Sequence, residues 1–432
     1  MRFIHISDTH LGASGFSRKL SPSGYNQREE DICNSFQVAV DRIISLKPDF
    51  VLHSGDLFHS VRPTNRIINF AIRQILRIVN LQIPMVIISG NHDTPKQRAV
   101  GSVFSFFEVL SPYLYLIYRN EYELIRLDET AIHAIPHCLN QEDFGREMAK
   151  IEIVHRPSTS LRTSPPPFDF AQDKSADHSQ NQEFNILMLH GVVAGIPEFS
   201  MGELAEQEIQ SSYLEMPFDY VALGHYHRFC EISPRVYYAG STERLSMAEL
   251  GQEKGFVEIQ INPDSEERPP SAALQLRSGQ VRRPPQITIT FHKVPAREMI
   301  ELPSINARNL DQEQVLREIE NRIQVDDILE KIVRLKVKDI PEHIYKSLDF
   351  REIAELKSKA FHFDLRFERK EEEGKSQAAK TSIGKLNVEF EHFLNQIPVE
   401  NLQKDRLLEL GLKYLTANAS TVDGPRSTNG LL

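Results

Sequence analysis

The stretch RFIHISDTH, residues 2–10, joins a short apolar strand pattern directly to an Asp-Thr-His motif. Four later apolar runs follow the same order, and each also ends at a polar residue. Because ligands of open α/β sheets bind at the carboxyl ends of strands, these polar residues are expected to share one edge of a sheet. The five residues at the strand ends are Asp8, Asp56, Asn91, His190 and His225.

Helical patterns separate the first of these strands. Apolar side chains recur at helical spacing within residues 27–46, and residues 65–81 and 96–110 are also predicted to be helical. An alternation of strands and helices predicts a layered α/β domain in which helices cover a sheet.

Length and composition are those of an ordinary globular protein. At about 100–200 residues per domain, 432 residues predict two or three domains, and 40% hydrophobic residues are enough for a core. The net charge of −10 weighs mildly against a nucleic-acid substrate. A basic face can nevertheless exist on an acidic protein, and a partner subunit could supply cations.

The chain contains three cysteines, Cys33, Cys138 and Cys230, which lie far apart and suggest no disulfide framework. This usage favours a reducing compartment. The first seven residues lack the pattern of a signal peptide, and no apolar run approaches the about 18–20 residues of a transmembrane helix. We therefore expect a cytoplasmic protein that does not enter a membrane.

Five short motifs carry the residue types of a metal site. They are Asp8-Thr-His10, Gly55-Asp56-Leu-Phe-His59, Gly90-Asn91-His92-Asp93, His190-Gly191 and Gly224-His225-Tyr-His227. Mixed imidazole and carboxylate ligands suit manganese, iron or zinc better than magnesium or calcium. Two ions about 3.5–4 Å apart need a bridging carboxylate and several terminal ligands. Seven residues can supply these ligands, which leaves His59 and His92 as acid or base groups: Asp8, His10, Asp56, Asn91, His190, His225 and His227.

Each motif alone has a simpler interpretation. An Asp-x-His sequence commonly lies on the surface, Gly-Asp at a strand end is often a turn, and Gly-Asn-His-Asp could cap the next helix. The pair His225 and His227 could be exposed polar residues. All five motifs in order, each at the end of a predicted strand, favour one metal site over five unrelated turns.

The motifs resemble those of the calcineurin-like metallophosphoesterases, over roughly residues 1–245. The protein phosphatases of that superfamily carry Asp-Arg-Gly after the second motif, whereas this chain has Phe58-His59-Ser60. The finer details are similar to those of the SbcD-type DNA double-strand-break repair nucleases, and this resemblance implies a four-layer α/β/β/α phosphoesterase domain. The similar segments are residues 7–12, 55–59, 90–93 and 238–244.

The resemblance also implies a role for each site residue. His92 matches the catalytic histidine of the family, His59 matches a second functional histidine, and Asp93 would orient His92. The ions are typically manganese in this family, and Asp56 would bridge them. One ion would be held by Asp8, His10, Asp56 and His227, and the other by Asp56, Asn91, His190 and His225.

The rest of the chain is expected to form smaller parts. Two Pro- and Ser-rich stretches have the composition of flexible insertions within the nuclease domain. A small α+β capping domain, which helps to hold DNA in the family, would follow, and then a linker with helices that bind an ATPase. The predicted parts are residues 1–285 (nuclease domain, with insertions near 156–183 and 263–285), 286–367 (capping domain), 368–417 (linker and ATPase-binding helices) and 418–432 (disordered tail).

Two protein partners follow from the resemblance. SbcD-type nucleases form homodimers through helices, for which residues 65–81 and 96–110 are the candidates. The alternative is that these helices only pack against the sheet. The amphipathic residues 383–415 would bind an SbcC-like ABC-type ATPase, or else fold back on their own domain.

The leading hypothesis is therefore a manganese-dependent DNA exonuclease and endonuclease of double-strand-break repair. One alternative is a phosphodiesterase acting on a small nucleotide or phospholipid substrate, and another is a scaffold subunit with a vestigial site. The additional C-terminal parts favour a macromolecular substrate, and the complete ligand set favours an enzyme. Candidate phosphate contacts near the motifs are Arg18, Lys19, Lys96 and Arg98.

Overall fold

A computed structural model describes residues 1–16, 19–97, 100–154, 183–196, 206–262, 274–275, 281–282, 286–325 and 328–369. The predicted insertions, most of the linker, the ATPase-binding helices and the tail lie largely or wholly outside these residues. None of the described helices is both long and apolar enough to cross a membrane.

The helices and strands follow one another in the alternating order that the sequence predicts for the first part of the chain. The helices are α1 (Gln27–Leu46), α2 (Asn65–Val79), α3 (Gln141–Val154), α4 (Ser211–Leu214), α5 (Gln312–Val325), α6 (Glu342–Ser347) and α7 (Phe350–Ser358). The strands are β1 (Arg2–Ile6), β2 (Phe50–Ser54), β3 (Met85–Ile88), β4 (Leu114–Ile117), β5 (Glu123–Leu127), β6 (Thr130–Ala134), β7 (Phe184–His190), β8 (Val192–Val193), β9 (Glu208–Ile209), β10 (Tyr220–Gly224), β11 (Cys230–Ser233), β12 (Val236–Tyr238), β13 (Gly255–Asn262), β14 (Leu274–Gln275), β15 (Val281–Arg282), β16 (Gln286–Lys293), β17 (Met299–Glu301), β18 (Ile305–Asn306), β19 (Ile332–Ile340) and β20 (His362–Arg369).

Two six-stranded sheets form the main body. The first has the order β16-β13-β1-β2-β3-β4. Strands β1 to β4 are parallel to one another, β13 is antiparallel to β1, and β16 is antiparallel to β13. The second has the order β11-β12-β10-β7-β6-β5, with β12, β10, β7 and β6 parallel. Parallel strands are covered on both faces, which is why their sequences are continuous apolar runs.

The sheets pack face to face, and helices cover their outer sides. Phe3 and Leu52 of the first sheet share a core with Ile186 and Met188 of the second. A separate core joins α1 and α2 to the outer face of the first sheet, and another joins α3 to the outer face of the second. This is the four-layer α/β/β/α arrangement, so the predicted fold is confirmed.

The predicted helix at residues 96–110 is wrong for the part of this segment that the structure describes. The described residues of this segment include no α-helix, and its longest regular element is a short 3-10 helix, Val103–Phe106, which begins after Ser102. Gly101 has a φ of 68°, a left-handed conformation that an α-helix cannot contain. The apolar spacing arises because Phe104 and Phe107 are both buried beside Phe58.

The smaller C-terminal unit begins later than the sequence indicates. Strand β16, predicted to open the capping domain, pairs along its whole length with β13 of the first sheet. The unit that follows has its own apolar core, formed by residues between Leu302 and Phe363. Its strands β17, β18 and β20 all pair in parallel with β19, and helices lie between β18 and β19 and between β19 and β20. This is the α/β pattern rather than the predicted α+β pattern.

Arg297 makes contacts that connect this unit to the main body. Its guanidinium donates to both carboxylate oxygens of Asp31 in α1, at 2.5 and 2.8 Å, and to the carbonyl of Glu330 at 2.6 Å. It also lies 3.9 Å from the ring centroid of Phe361. The side chain is only 12% exposed, so solvent weakens these contacts little.

We expect Arg297→Met to lower the free energy of unfolding by about 2–4 kcal/mol, because it leaves the largely buried Asp31 carboxylate with fewer partners. Urea denaturation measures the change. The matched control is Lys293→Met, whose ion pair with Glu253 is exposed and should contribute less than about 1 kcal/mol. Equal losses for the two variants would contradict the role of Arg297.

Candidate metal centre

The five motifs meet where β1, β2, β3, β7 and β10 end. The first three strands are neighbours in one sheet, and β7 pairs with β10 in the other. Backbone hydrogen bonds tie the motif loops together: Asp8 N–H donates to the carbonyl of Gly55, and His10 N–H to that of Asp56. The sheet topology therefore brings residues more than 200 positions apart into one site.

Four of the predicted ligand residues have a backbone conformation that non-glycine residues rarely adopt. Their φ angles are positive, between 45° and 102°. Such a conformation costs about 1–3 kcal/mol at each residue and persists where the surrounding structure enforces it, commonly at functional sites. The residues are Asp8, His10, Asp56 and His225.

One group of donor atoms forms around His10. Its Nε2 lies 3.0 Å from Nε2 of His227 and 3.6 Å from Oδ2 of Asp56. Asp8, His10 and His227 each offer a ligand atom, and these three atoms lie within 4.8 Å of one another. All three side chains are buried.

A second group forms around Asn91. Its Oδ1 lies 2.9 Å from Nε2 of His190 and 3.2 Å from Nδ1 of His225. Nε2 of His190 also lies 3.4 Å from Oδ2 of Asp56. Asp56 is therefore close to both groups, as expected of a bridging ligand.

Hydrogen bonds behind the imidazoles direct their lone pairs towards the site. Nδ1 of His190 lies 2.8 Å from the carbonyl of Ser54 and can only donate to it, which leaves Nε2 as the electron-pair donor facing Asp56. Nδ1 of His227 lies 3.2 Å from the Glu249 carboxylate, which has the same effect. Such outer contacts are typical of metal-ligating histidines, so the donor set fits divalent cations.

The buried carboxylates of the site favour a positive charge beside them. Burial raises the pKa of the Asp8 carboxyl. Burial would lower the pKa of His190, but Asp56 and Asp8 raise it to about 10. Burial would likewise raise the pKa of Asp56, but charged His190 outweighs it and holds that pKa well below its usual range. Without a metal ion, protonated His190 supplies the positive charge beside Asp56, and a bound cation would take over that role.

His59 and His92 lie at the opening of the site. Their rings stack at 5.1 Å, and the ring of His92 lies 4.7 Å from that of His10. Nδ1 of His92 lies 3.1 Å from the carbonyl of His59, and the backbone N–H of His92 donates to Oδ1 of Asp56 at 2.9 Å. His10, His59 and His92 form a third group whose ligand atoms could hold a metal ion together.

Asp93 does not have the role that the sequence suggested. Its carboxylate accepts backbone N–H groups from Gly90 at 2.7 Å and from Leu57 at 2.9 Å. The atom facing Nδ1 of His92 is instead the carbonyl of His59. Burial and the nearby charge of Asp56 raise the pKa of Asp93 to about 8. Asp93 therefore joins the second and third motif loops.

A cleft of about 710 Å³ opens beside the two histidines. Lys96 lines it, as expected of a phosphate contact, whereas Lys19 pairs with Glu330 of the smaller unit. The candidates Arg18 and Arg98 lie outside the described residues. The lining residues are His59, Ser60, Val61, Arg62, Asn91, His92, Thr94, Pro95, Lys96, Gln97, Val100 and His137.

Sequence reasoning missed the outer residues of the site. Glu206 lies 3.5 Å from Nε2 of His225, and Glu249 contacts His227. Lys254, almost fully buried, donates to Glu249. The one sequence feature near Glu249 and Lys254 was the segment 238–244, which resembles the nuclease family but did not indicate that the residues after it contact the metal ligands.

Comparisons with known proteins agree with this geometry. The calcineurin-like phosphoesterase family model matches residues 1–229. The chain is similar to the DNA double-strand break repair protein Mre11 of Methanococcus maripaludis, with 30% identity over 258 residues, 58% of this chain and 59% of that protein. The protein of the same name from Thermoplasma acidophilum is 27% identical over 57% of this chain, and that from Methanocaldococcus jannaschii is 27% identical over 56% of it. The matches span 57–59% of the length of these relatives.

Proposed function

Because the chain belongs to the calcineurin-like phosphoesterase family, we propose that it is a manganese-dependent nuclease that hydrolyses DNA phosphodiester bonds in double-strand-break repair. The observation that carries the proposal is the convergence of seven donor residues from five motifs, with His92 and His59 at the opening. The similarity to the archaeal Mre11 proteins supports DNA as the substrate.

Two divalent ions would occupy the two donor groups. Asp8, His10, Asp56 and His227 would hold one, and Asp56, Asn91, His190 and His225 would hold the other. When bound, such ions polarise phosphate oxygens and make a water molecule nucleophilic near neutral pH. The mixture of imidazole and carboxylate donors favours manganese over magnesium.

His92 would act on the scissile phosphate. With its Nδ1–H donated to the carbonyl of His59, its Nε2 can hold a proton for a phosphate oxygen or the leaving oxygen. A donor placed where negative charge develops stabilises the transition state. His59, stacked on the same ring, would keep the imidazole of His92 in its plane.

The cleft beside His92 supports a nucleic-acid substrate. Arg62 and Lys96 offer positive charge for phosphates, and Val61, Pro95 and Val100 offer apolar surface for sugars and bases. A local concentration of cations can bind DNA although the whole chain carries a net charge of −10. A small phosphodiester would use only part of this surface.

The full chain should cleave linear duplex DNA in the presence of Mn²⁺, and excess EDTA should abolish cleavage. A small chromogenic phosphodiester, assayed in parallel, should be hydrolysed far more slowly. Gel electrophoresis of end-labelled DNA measures the first reaction and absorbance the second. Cleavage of only the small compound would support the small-substrate alternative, and cleavage of neither would support a scaffold.

We also propose that the protein forms a homodimer through α2 and the segment that follows the third motif. Phe106 and Val109 of that segment are 63% and 89% exposed, which is unusual for large apolar side chains outside an interface. Light scattering at micromolar concentration distinguishes the possibilities, and a monomer would contradict the dimer.

An SbcC-like ABC-type ATPase is the second proposed partner. The helices expected to bind it, within residues 383–415, lie outside the described residues, so this proposal rests on the sequence resemblance. Removing all residues after Glu373 should abolish ATPase binding and spare manganese-dependent cleavage. Retained binding would contradict the assignment. We place the complex in the cytoplasm, where it would meet its DNA substrate.

A further inference from the structure

A buried carboxylate lies directly behind one of the proposed metal ligands. Oε1 of Glu249 is 3.2 Å from Nδ1 of His227 and also accepts the backbone N–H groups of Leu245 and Ser246, each at 3.0 Å. Glu249 is only 2% exposed. These contacts fix the carboxylate in one place, so it presents a fixed acceptor to the imidazole.

Lys254 holds both the carboxylate and the backbone of the ligand. Its Nζ donates to Oε2 of Glu249 at 2.5 Å, to the carbonyl of His227 at 2.8 Å and to Oγ of Ser241 at 2.9 Å. The residue is 1% exposed. The Lys254 ammonium group therefore contacts the backbone carbonyl of His227 directly and stabilises the His227 ring through Glu249.

The consequence is a defined tautomer of His227. Because a carboxylate can only accept, Nδ1 of His227 carries the proton that it donates to Glu249. Nε2 then keeps its lone pair, and it lies 3.0 Å from Nε2 of His10. Both imidazoles thus direct ring nitrogens to the same point.

Stability alone gives little reason to bury this pair. Taking two charges out of water is costly, and an apolar pair of similar volume commonly stabilises a protein as well or better. A carboxylate that accepts from the outer nitrogen of a metal-ligating histidine raises the basicity of the ligand and fixes its ring. The position of the pair, behind the proposed ligand, fits this second role.

We infer that Glu249 and Lys254 are positioning residues that hold His227 in the tautomer and orientation needed to bind a divalent cation. The inference rests on the proposed metal centre. It assigns a function to a part of the chain that lies after the five motifs and contributes no ligand itself.

The test measures manganese affinity of the full chain by isothermal titration calorimetry. Glu249→Gln, alone and combined with Lys254→Met, should weaken binding of one Mn²⁺ by about 10–100-fold. The double variant removes both buried charges together and keeps a neutral oxygen where Leu245, Ser246 and His227 donate, so its metal-free melting temperature should stay near that of the wild type. The loss of affinity therefore measures the negative charge that the carboxylate places behind His227. The matched control is Glu253→Gln, an exposed carboxylate, which should bind manganese like the wild type.

Three results would overturn the inference. The first is wild-type manganese affinity in a double variant that remains folded. The second is an equal loss of affinity in Glu253→Gln. The third comes from ¹⁵N NMR of histidine-labelled, zinc-loaded wild type, which needs no variant: we expect a proton on Nδ1 of His227, and coordination through Nδ1 would contradict the role of Glu249.

The wild-type titration separates this inference from the proposed function. If the wild type binds no Mn²⁺, the proposed metal centre fails. If it binds two ions and the variants bind them equally well, only the positioning role fails. If both ions bind and DNA is not cleaved, the proposed nuclease activity fails while the role of Glu249 is still measured by the affinities.

Discussion

Replacement of His92 by alanine is expected to abolish DNA cleavage and to leave both metal ions bound. A positioned acid or base contributes about 100- to 10,000-fold to a rate, so residual cleavage should be below about 1% of the wild-type value. The hydrogen bond from the backbone N–H of residue 92 to Oδ1 of Asp56 does not involve the side chain, so the alanine variant should retain it. Single-turnover cleavage and manganese titration measure the two properties.

The titration also decides between two roles for this side chain. His92 belongs to the third possible metal group, with His10 and His59. If His92→Ala binds one ion fewer than the wild type, His92 is a ligand and the proposed acid role is wrong. Wild-type cleavage by the variant would exclude both roles. His343→Ala, which removes an exposed imidazole from α6 of the smaller unit, should leave cleavage and metal binding unchanged.

The fold was predictable because its physical signals are local. The four consecutive apolar residues of β3, between Pro84 and Ser89, are too few for a helix and so indicate a short buried strand, and α1 shows apolar helical spacing from Ile32 onward. The second sheet was harder to predict, because β5 and β6 carry little apolar periodicity of their own. Its strands β7 and β10 were recognised from their apolar runs.

The ligand candidates were predictable for a different reason. Asp8, Asp56 and Asn91 follow parallel neighbouring strands, so topology alone brings them to one edge. Sequence spacing could not show what lies behind them. Glu249 reaches His227 from a 3-10 helix after β12, and Asp93 turns towards backbone N–H groups rather than His92. These contacts depend on long-range packing, which no local pattern records.

The helix predicted at residues 96–110 shows how packing can imitate periodicity. Phe104 and Phe107 are three positions apart and both buried, as on a helix face. The positive φ of Gly101 and the short 3-10 turn produce the same spacing without an α-helix. The homodimer proposal therefore uses α2 together with exposed Phe106 and Val109, rather than two α-helices.

Gly90→Ala is expected to impair the metal centre as severely as loss of a ligand. A Cβ at this position would lie 2.1 Å from Oδ1 of Asp56 and 2.6 Å from its backbone nitrogen, distances that non-bonded atoms cannot adopt. The backbone N–H of Gly90 also donates to Asp93 at 2.7 Å, so the backbone at residue 90 cannot move away from Asp56 without breaking that hydrogen bond. The Asp56 carboxylate must move instead, and it is the residue close to both donor groups.

We expect Gly90→Ala to lower the affinity for both manganese ions and to reduce DNA cleavage by at least about 100-fold, because small displacements of groups at a catalytic centre have effects of this size. Overpacking should also lower the free energy of unfolding by about 1–3 kcal/mol. The control is Gly145→Ala in α3, where a Cβ meets no atom within 4 Å and should stabilise the helix slightly. Wild-type metal affinity in Gly90→Ala would mean that Asp56 can move freely, which is incompatible with its proposed position between the two ions.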